Sequence, residues 1–276
     1  MTILILGAGD LATGVAARLF RCGFRILMTE LPHPLAVRRF VSFAEAVYRQ
    51  QFTVEEITAV RVQETHRAAE IIVQGNIPIL VDPQATVLLQ FRSHLASNQP
   101  LVVVDARMTK RRPPHNLAEV DFLIGLGPGF TVGENCHAII ETNRGHQMGR
   151  VLWEGSAQPD TGIPESVIGH AADRVLRAPC DGEILGYKEI GERVEMGEVI
   201  AEVAGCPVAA PFAGVLRGLL HPGLWVKKGA KIGDVDPRGD PRMCRLISDK
   251  SLAIGGGVLE AILSKPELRA ELCTKN

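Results

Sequence analysis

Thr2-Ile3-Leu4-Ile5-Leu6-Gly7-Ala8-Gly9-Asp10-Leu11-Ala12-Thr13-Gly14 joins a short apolar run to a glycine-rich turn, and Leu11, Val15, Ala16 and Leu19 then recur at helical spacing. This reads as strand, tight turn and helix. In such a unit the first glycine, Gly7, permits the turn, and the second, Gly9, lets the backbone approach a pyrophosphate. A small third residue, Ala12, lets helix and strand pack closely, while the free N–H groups of the helix start attract anions. Gly7, Gly9, Asp10, Ala12 and Gly14 are therefore the first candidates for a nucleotide or phosphate site.

The downstream context extends the pattern. Gly23 precedes a second apolar run, Phe24 to Met28, and Glu30 then stands at the distance where an acid meets a ribose hydroxyl. The spacing predicts a helix over Leu35 to Gln50 whose Arg38 and Arg39 lie on a solvated face or meet a second phosphate, an extended excursion over Val54 to Val62, and a helix over Thr65 to Gln74. Ile77 to Val81 ends in Asp82-Pro83, a helical stretch follows from Thr86 to Ala96, and Leu101 to Val104 ends in Asp105. Strands alternating with helices signal an open parallel sheet, in which ligands lie beyond the carboxyl ends of the strands. Glu30, Asp82 and Asp105 each follow a strand, so they are expected to rim one crevice with the Gly7 turn.

Further candidates follow in order. Arg107, Lys110, Arg111 and Arg112 make a basic loop, either solvated surface or positive charge for a ligand phosphate. After a strand over Asp121 to Gly125, Gly127-Pro128-Gly129 suits a tight loop or an anion nest. Glu141-Thr142-Asn143-Arg144-Gly145-His146 holds an acid, an amide, a guanidinium and an imidazole, a set that serves catalysis, ligand reading or a hydrogen-bonded turn.

Composition bounds the function. At 276 residues with 46% apolar and 5% aromatic residues, the chain can bury a sizeable aliphatic core, and two domains are expected. A formal net charge of −1 gives no general attraction to nucleic acid or to an anionic membrane. The six cysteines are scattered without a Cys-x-x-Cys pair, which fits thiols in a reducing cytosol and offers no metal-ligand spacing. Met1 to Leu6 lacks a basic flank and is too short to span a bilayer, so a cytoplasmic location is expected.

From residue 178 the pattern changes to an internal repeat. Ala178-Pro179-Cys180-Asp181-Gly182 is answered by Ala210-Pro211-Phe212-Ala213-Gly214, and Gly191, Val194, Gly197 and Ile200 by Gly223, Val226, Gly229 and Ile232, all at an offset of 32. This resembles the biotinyl and lipoyl carrier fold, the barrel-sandwich hybrid, but the junction Val203 to Ala210 has no lysine to modify. The expected class is α/β: a Rossmann-like parallel-sheet domain over residues 1–150, a linker over 151–175, a small all-β barrel-sandwich hybrid over 176–238, and a glycine-rich turn with a C-terminal helix over 239–276. Ile254-Gly255-Gly256-Gly257 at that helix reads as a second anion site or as close packing.

Taken together, Gly7 to Ala16, Val81-Asp82-Pro83, Leu126 to Phe130, Glu141 to His146, Ile232 to Gly239 and Ala253 to Ala261 resemble the YqeB family of the selenium-dependent molybdenum hydroxylase system. The resemblance implies an accessory or maturation factor whose partners are a molybdenum hydroxylase or its other maturation factors. Together with the glycine-rich crevice it points to a small phosphorylated ligand, either a dinucleotide such as NAD(P) or a molybdenum cofactor, while charge and the lack of a long apolar segment disfavour a nucleic-acid or membrane partner. Some members carry a further domain ahead of the Rossmann-like part; this sequence begins at the first strand, so that domain's role is expected to be absent or supplied by another protein. The alternative is an NAD(P)-dependent oxidoreductase that uses the same crevice, with His146 or Cys136 as proton donor.

Overall fold

The computed structural model describes residues 1–88, 99–160, 162 and 167–273. Most of the helix expected over Thr86 to Ala96, and part of the 151–175 linker, lie outside the described residues.

A nine-stranded sheet forms the larger part of the chain. Its strands are β1 (Thr2–Leu6), β2 (Arg25–Glu30), β3 (Gln51–Val54), β4 (Ile57–Val62), β5 (Ile77–Val81), β6 (Val102–Asp105), β7 (Phe122–Leu126), β8 (Ala138–Ile140) and β9 (Val151–Leu152), in the order 3-4-5-2-1-6-7-8-9. The seven inner strands run parallel, whereas the edge strands β3 and β9 pair antiparallel with β4 and β8. The expected parallel sheet is thus corrected to a mixed one. Val54 to Val62, expected as an extended excursion, is extended and forms the turn and second strand of the β3–β4 hairpin that supplies one edge.

Both faces of the central strands are dry. Ile3, Ile5, Met28, Val104 and Ile124 face one core, and Leu4, Leu6, Leu27, Val103 and Leu123 face the other, the period-2 alternation of strands covered on both sides. Helix α1 (Asp10–Arg21) buries Ala12, Val15, Ala16 and Leu19 in the first of these cores, with Asp10 in its first turn and Arg18 and Arg21 in its last, as the helix dipole favours. The Leu35 to Gln50 helix is not formed. Instead two 3-10 turns at Arg39–Val41 and Phe43–Glu45 lead into the short α2 (Ala46–Arg49), and Arg39 is buried against Glu45 rather than solvated. Helix α3 (Thr65–Val73) covers the other face through Ala68.

The repeat folds into β10 (Val175–Arg177), β11 (Gly182–Gly186), β12 (Arg193–Val194), β13 (Val199–Val203), β14 (Cys206–Ala209), β15 (Gly214–Leu219), β16 (Trp225–Val226) and β17 (Lys231–Asp236). These make two four-stranded antiparallel sheets, 10-17-15-12 and 14-13-11-16, that correspond strand for strand at the offset of 32. The copies interlock, since β12 pairs with β15 and β11 with β16. The expectation of a carrier-like barrel-sandwich hybrid is corrected: the sheets are open, and their core is completed by Val37, Phe40 and Tyr48 from the first half of the chain. Arg39 Nε also donates to the Leu219 carbonyl at 3.1 Å, and a Cβ on Gly218 would lie 2.8 Å from the Val37 side chain. A repeat reveals which strands are alike, but long-range packing decides what closes them.

The C-terminal helices, α4 (Asp249–Leu263) and α5 (Pro266–Cys273), return to the first core. Ser248 caps α4, accepting from Ser251 N at 3.1 Å. The triple glycine lies inside α4, so it is no helix entrance. A Cβ on Gly14 would stand 2.4 Å from Ser251 Cβ, one on Gly255 would stand 2.9 Å from the Gly14 carbonyl, and one on Gly257 would stand 2.2 Å from the Gly149 carbonyl. Close packing therefore explains Gly14, Gly255 and Gly257, while Gly256 has nothing within 4 Å.

Gly14→Ala or Gly255→Ala is expected to destabilise the protein by about 1–3 kcal/mol, because α1 and α4 must separate. Gly256→Ala should instead stabilise it by roughly 0.5–1 kcal/mol through helix propensity. Urea unfolding of the three variants checks the contrast.

Candidate functional site

Strand order reverses between β1 and β6: the chain leaves β1 toward β2 on one side and returns to β6 on the other. At such a switch point the loops beyond the carboxyl ends diverge and open a crevice. Here it measures about 580 Å³ and is lined by Gly7, Gly9, Asp10, Glu30, Asp82 and Arg107 among others.

The turn that floors it is held from below. The Ala8 carbonyl accepts from Ser42 Oγ at 2.9 Å, Ala44 N at 2.9 Å and Thr13 Oγ1 at 3.2 Å. Gly7 adopts φ +93° and donates its N–H to the Thr29 carbonyl, and its Cα face meets the Ala106–Arg107 backbone, where a Cβ would be 3.2 Å from Arg107 Cα. Gly7 thus serves the turn and a close chain approach. Gly9 differs: it precedes α1, no side chain caps that helix, and a Cβ there would meet nothing within 4 Å. Open space above an uncapped helix start suits an anion.

Glu30 Oε2 accepts from Ala8 N at 2.8 Å and Oε1 from Leu31 N at 2.7 Å. Burial pushes its carboxyl up, against the opposing pull of the Leu31 and Ala8 amides. The acid thereby occupies one amide of the turn and leaves the helix-start amides beyond it. Asp82 is engaged by Thr86 Oγ1 at 3.0 Å and Val87 N at 2.7 Å. Asp10 accepts from Arg38 Nη1 at 2.8 Å and from Ser251 Oγ at 2.8 Å, tying the start of α1 to the loop after β2 and to α4.

Ala12, Asp105, Gly127 and Gly129 do not line the crevice. Ala12 lies on the fully buried face of α1, in the packing role of a small third residue. Asp105 is 2% exposed and anchors the following loop, with Arg107 Nη2 and His115 Nε2 each 2.6 Å from Oδ2. Gly127 (φ +67°) abuts Thr142 and Gly129 (φ +99°) abuts the Arg111 carbonyl, so both serve close packing of the loop. The basic loop is largely paired: Arg107 with Asp105, Lys110 with Asp160 and Arg112 with Glu134. In the 141–146 cluster, Glu141 accepts from the Thr142, Asn143 and Gln158 amides, which makes it a hydrogen-bonded turn.

Beside the crevice lies a larger cavity of about 900 Å³, and the two share Asp10, Leu11, Arg38, Met108 and Lys231. Its walls come from α1, the 141–144 turn, the start of α4 and strands β15 and β17. Arg217 and Lys231 escaped the sequence reading. The readable signal is a break in the repeat: thirty-two residues earlier stand Leu185 and Val199, both exposed apolar residues.

Because Asp105 holds a half-buried arginine, Asp105→Asn is expected to destabilise the protein by roughly 1.5–3 kcal/mol. Burial alone would raise the Asp105 carboxyl, but hydrogen bonds from His115 and Arg107 outweigh it and hold it below the usual range. Its contribution is then complete above the unfolded-state value of about 3.9 and disappears as pH falls through the lower folded value. Denaturant titrations of both proteins should therefore differ at pH 7 and converge in strong acid.

No helix among the described residues is long and apolar enough to cross a membrane. No protein-family model matches the chain. Among solved structures, the product-bound ectoine utilization protein EutE (DoeB) from Ruegeria pomeroyi is 13% identical, over 85% of this chain and 84% of that one, at a TM-score of 0.25. A succinylglutamate desuccinylase/aspartoacylase from Rhodobacter sphaeroides is 22% identical over 30% and 29% of the two chains, at a TM-score of 0.21. Scores this low carry no weight for fold or chemistry. The uncharacterized protein YqeB of Escherichia coli (strain K12) is 43% identical over 261 residues, 95% of this chain and 47% of that protein. The present chain spans about half the length of that relative, and it belongs to the YqeB family.

Proposed function

We propose that the chain binds a nucleotide or another phosphorylated cofactor in the crevice above Gly9, and that it acts as an accessory or maturation factor of a selenium-dependent molybdenum hydroxylase system. The binding half of this reading rests on one observation: an uncapped helix start with open space over Gly9, at the switch point of the sheet. The accessory half rests on the motif resemblance alone. Phosphate would meet the amides at the start of α1, with Arg38 and Lys231 at the edge of the crevice. Glu30, whose oxygens already accept two amides, retains lone pairs for a ribose or pterin donor. Both a dinucleotide such as NAD(P) and a molybdenum cofactor carry the required phosphate.

An NAD(P)-dependent oxidoreductase draws less support. Cys136 is fully buried, its thiol pushed up to about 12 by burial, and neither Cys136 nor His146 lines the crevice.

A thermal-shift screen against nucleotides, NAD(P)(H) and molybdopterin species should show at least one ligand that raises Tm, since a ligand preferring the native state stabilises it. Gly9→Trp should leave the unliganded Tm nearly unchanged and abolish that shift. Absence of any shift, or a shift that survives Gly9→Trp, refutes the reading.

A further inference from the structure

The larger cavity is unusually basic. Eight basic side chains and five carboxylates line it, in a protein of nearly neutral net charge. All five carboxylates are already engaged, four of them by basic side chains of the same cavity. Asp10 pairs with Arg38 at 2.8 Å, Asp160 with Lys110 at 2.8 Å, Asp249 with Arg144 at 2.9 Å, and Asp234 with Arg174 at 2.5 Å. Glu141 is occupied by three backbone amides.

What remains is positive. Arg217 reaches Asp234 only at 3.6 Å and Asp236 only at 3.7 Å, each of which holds a closer arginine, Arg174 or Arg238. Its Nε is buried without a hydrogen-bond partner among the described residues, and so is the Nε of Arg38. Lys231 on the neighbouring strand has no ion pair within 4 Å among the described residues. Two arginines with unmet donors and a lysine, gathered in one cavity, are destabilised until an anion joins them. The titration of these groups agrees. Arg217 is held below the ordinary arginine range by burial and then by Arg38, against Asp234 and Asp236. Lys231 keeps an exposed surface, yet desolvation and then Arg174, Arg217 and Arg38 hold it down in spite of Asp234.

We propose that this cavity is a second anion site, in which Arg217, Lys231 and Arg38 bind a phosphate or polyphosphate group. Arginine forks match phosphate oxygens in pairs, and the lysine adds a point charge. Because the cavity and the crevice share Asp10, Leu11, Arg38, Met108 and Lys231, the ligand class that fills both carries phosphate on two separate groups, as a nucleoside bisphosphate does, with one in each. That bridging rests on the crevice reading above; the anion site itself does not.

Inorganic pyrophosphate is the probe, titrated calorimetrically into the full chain at low and high salt. The expected result is saturable binding that weakens tenfold or more in Arg217→Gln and severalfold in Lys231→Gln, falls with added sodium chloride, and survives Gly9→Trp within twofold. Lys231→Gln decides the matter if Arg217→Gln fails to fold. Absence of pyrophosphate binding to the wild-type chain overturns the proposal. Binding that is insensitive to both substitutions but lost in Gly9→Trp also overturns it, and in that case leaves the crevice reading standing.

Discussion

The site depends on how Asp10 is held. Its carboxylate sits at the first residue of α1 and is gripped by Arg38 from the loop after β2 and by Ser251 from α4, two hundred and more positions along the chain. Ser251 can reach it because Gly14 and Gly255 carry no side chains where the helices cross, so the backbones approach within the thickness of a missing methyl group. The C-terminal helix therefore sets the position of the amino-terminal helix start. A helix start left without a side-chain cap keeps its amide groups available, while Arg38 neutralises the acid that would otherwise repel an anion.

Arg38 also links the two cavities electrostatically. It stands between the crevice, where backbone dipoles dominate, and the basic chamber, where side-chain charges do. Its neighbours Arg39 and Val37 fasten the same loop to β15 through the Leu219 carbonyl and Gly218. One loop thus connects the large sheet with the doubled β unit, and the position of Arg217 relative to the crevice follows from that attachment.

Much of the architecture was legible in local pattern. Residues 2–21 announce strand, turn and helix because apolar spacing changes from a continuous run to helical period at a glycine turn. The offset of 32 announces two equivalent sets of strands because each set repeats the same glycine turns. Edge direction was not legible: the β3–β4 hairpin and β9 are short, and nothing in their composition distinguishes antiparallel pairing from a loop. Among the site residues, Gly9, Glu30 and Asp82 meet in the crevice, since each ends a parallel strand or begins its helix. Asp105, which satisfies the same rule, turns inward because Arg107 and His115 claim it.

Sequence alone was sufficient to determine the strand-turn-helix unit, from residues within a few turns of chain, and the presence of a duplicated β unit, from the same phrase recurring 32 residues on. Only the tertiary structure decided that the triple glycine is a helix crossing, that the β unit borrows its core from residues 37–48, and that Arg217 and Lys231 gather beside Arg38. Those outcomes depend on which surfaces meet across long chain separations, where burial and steric fit, rather than spacing, select the partner.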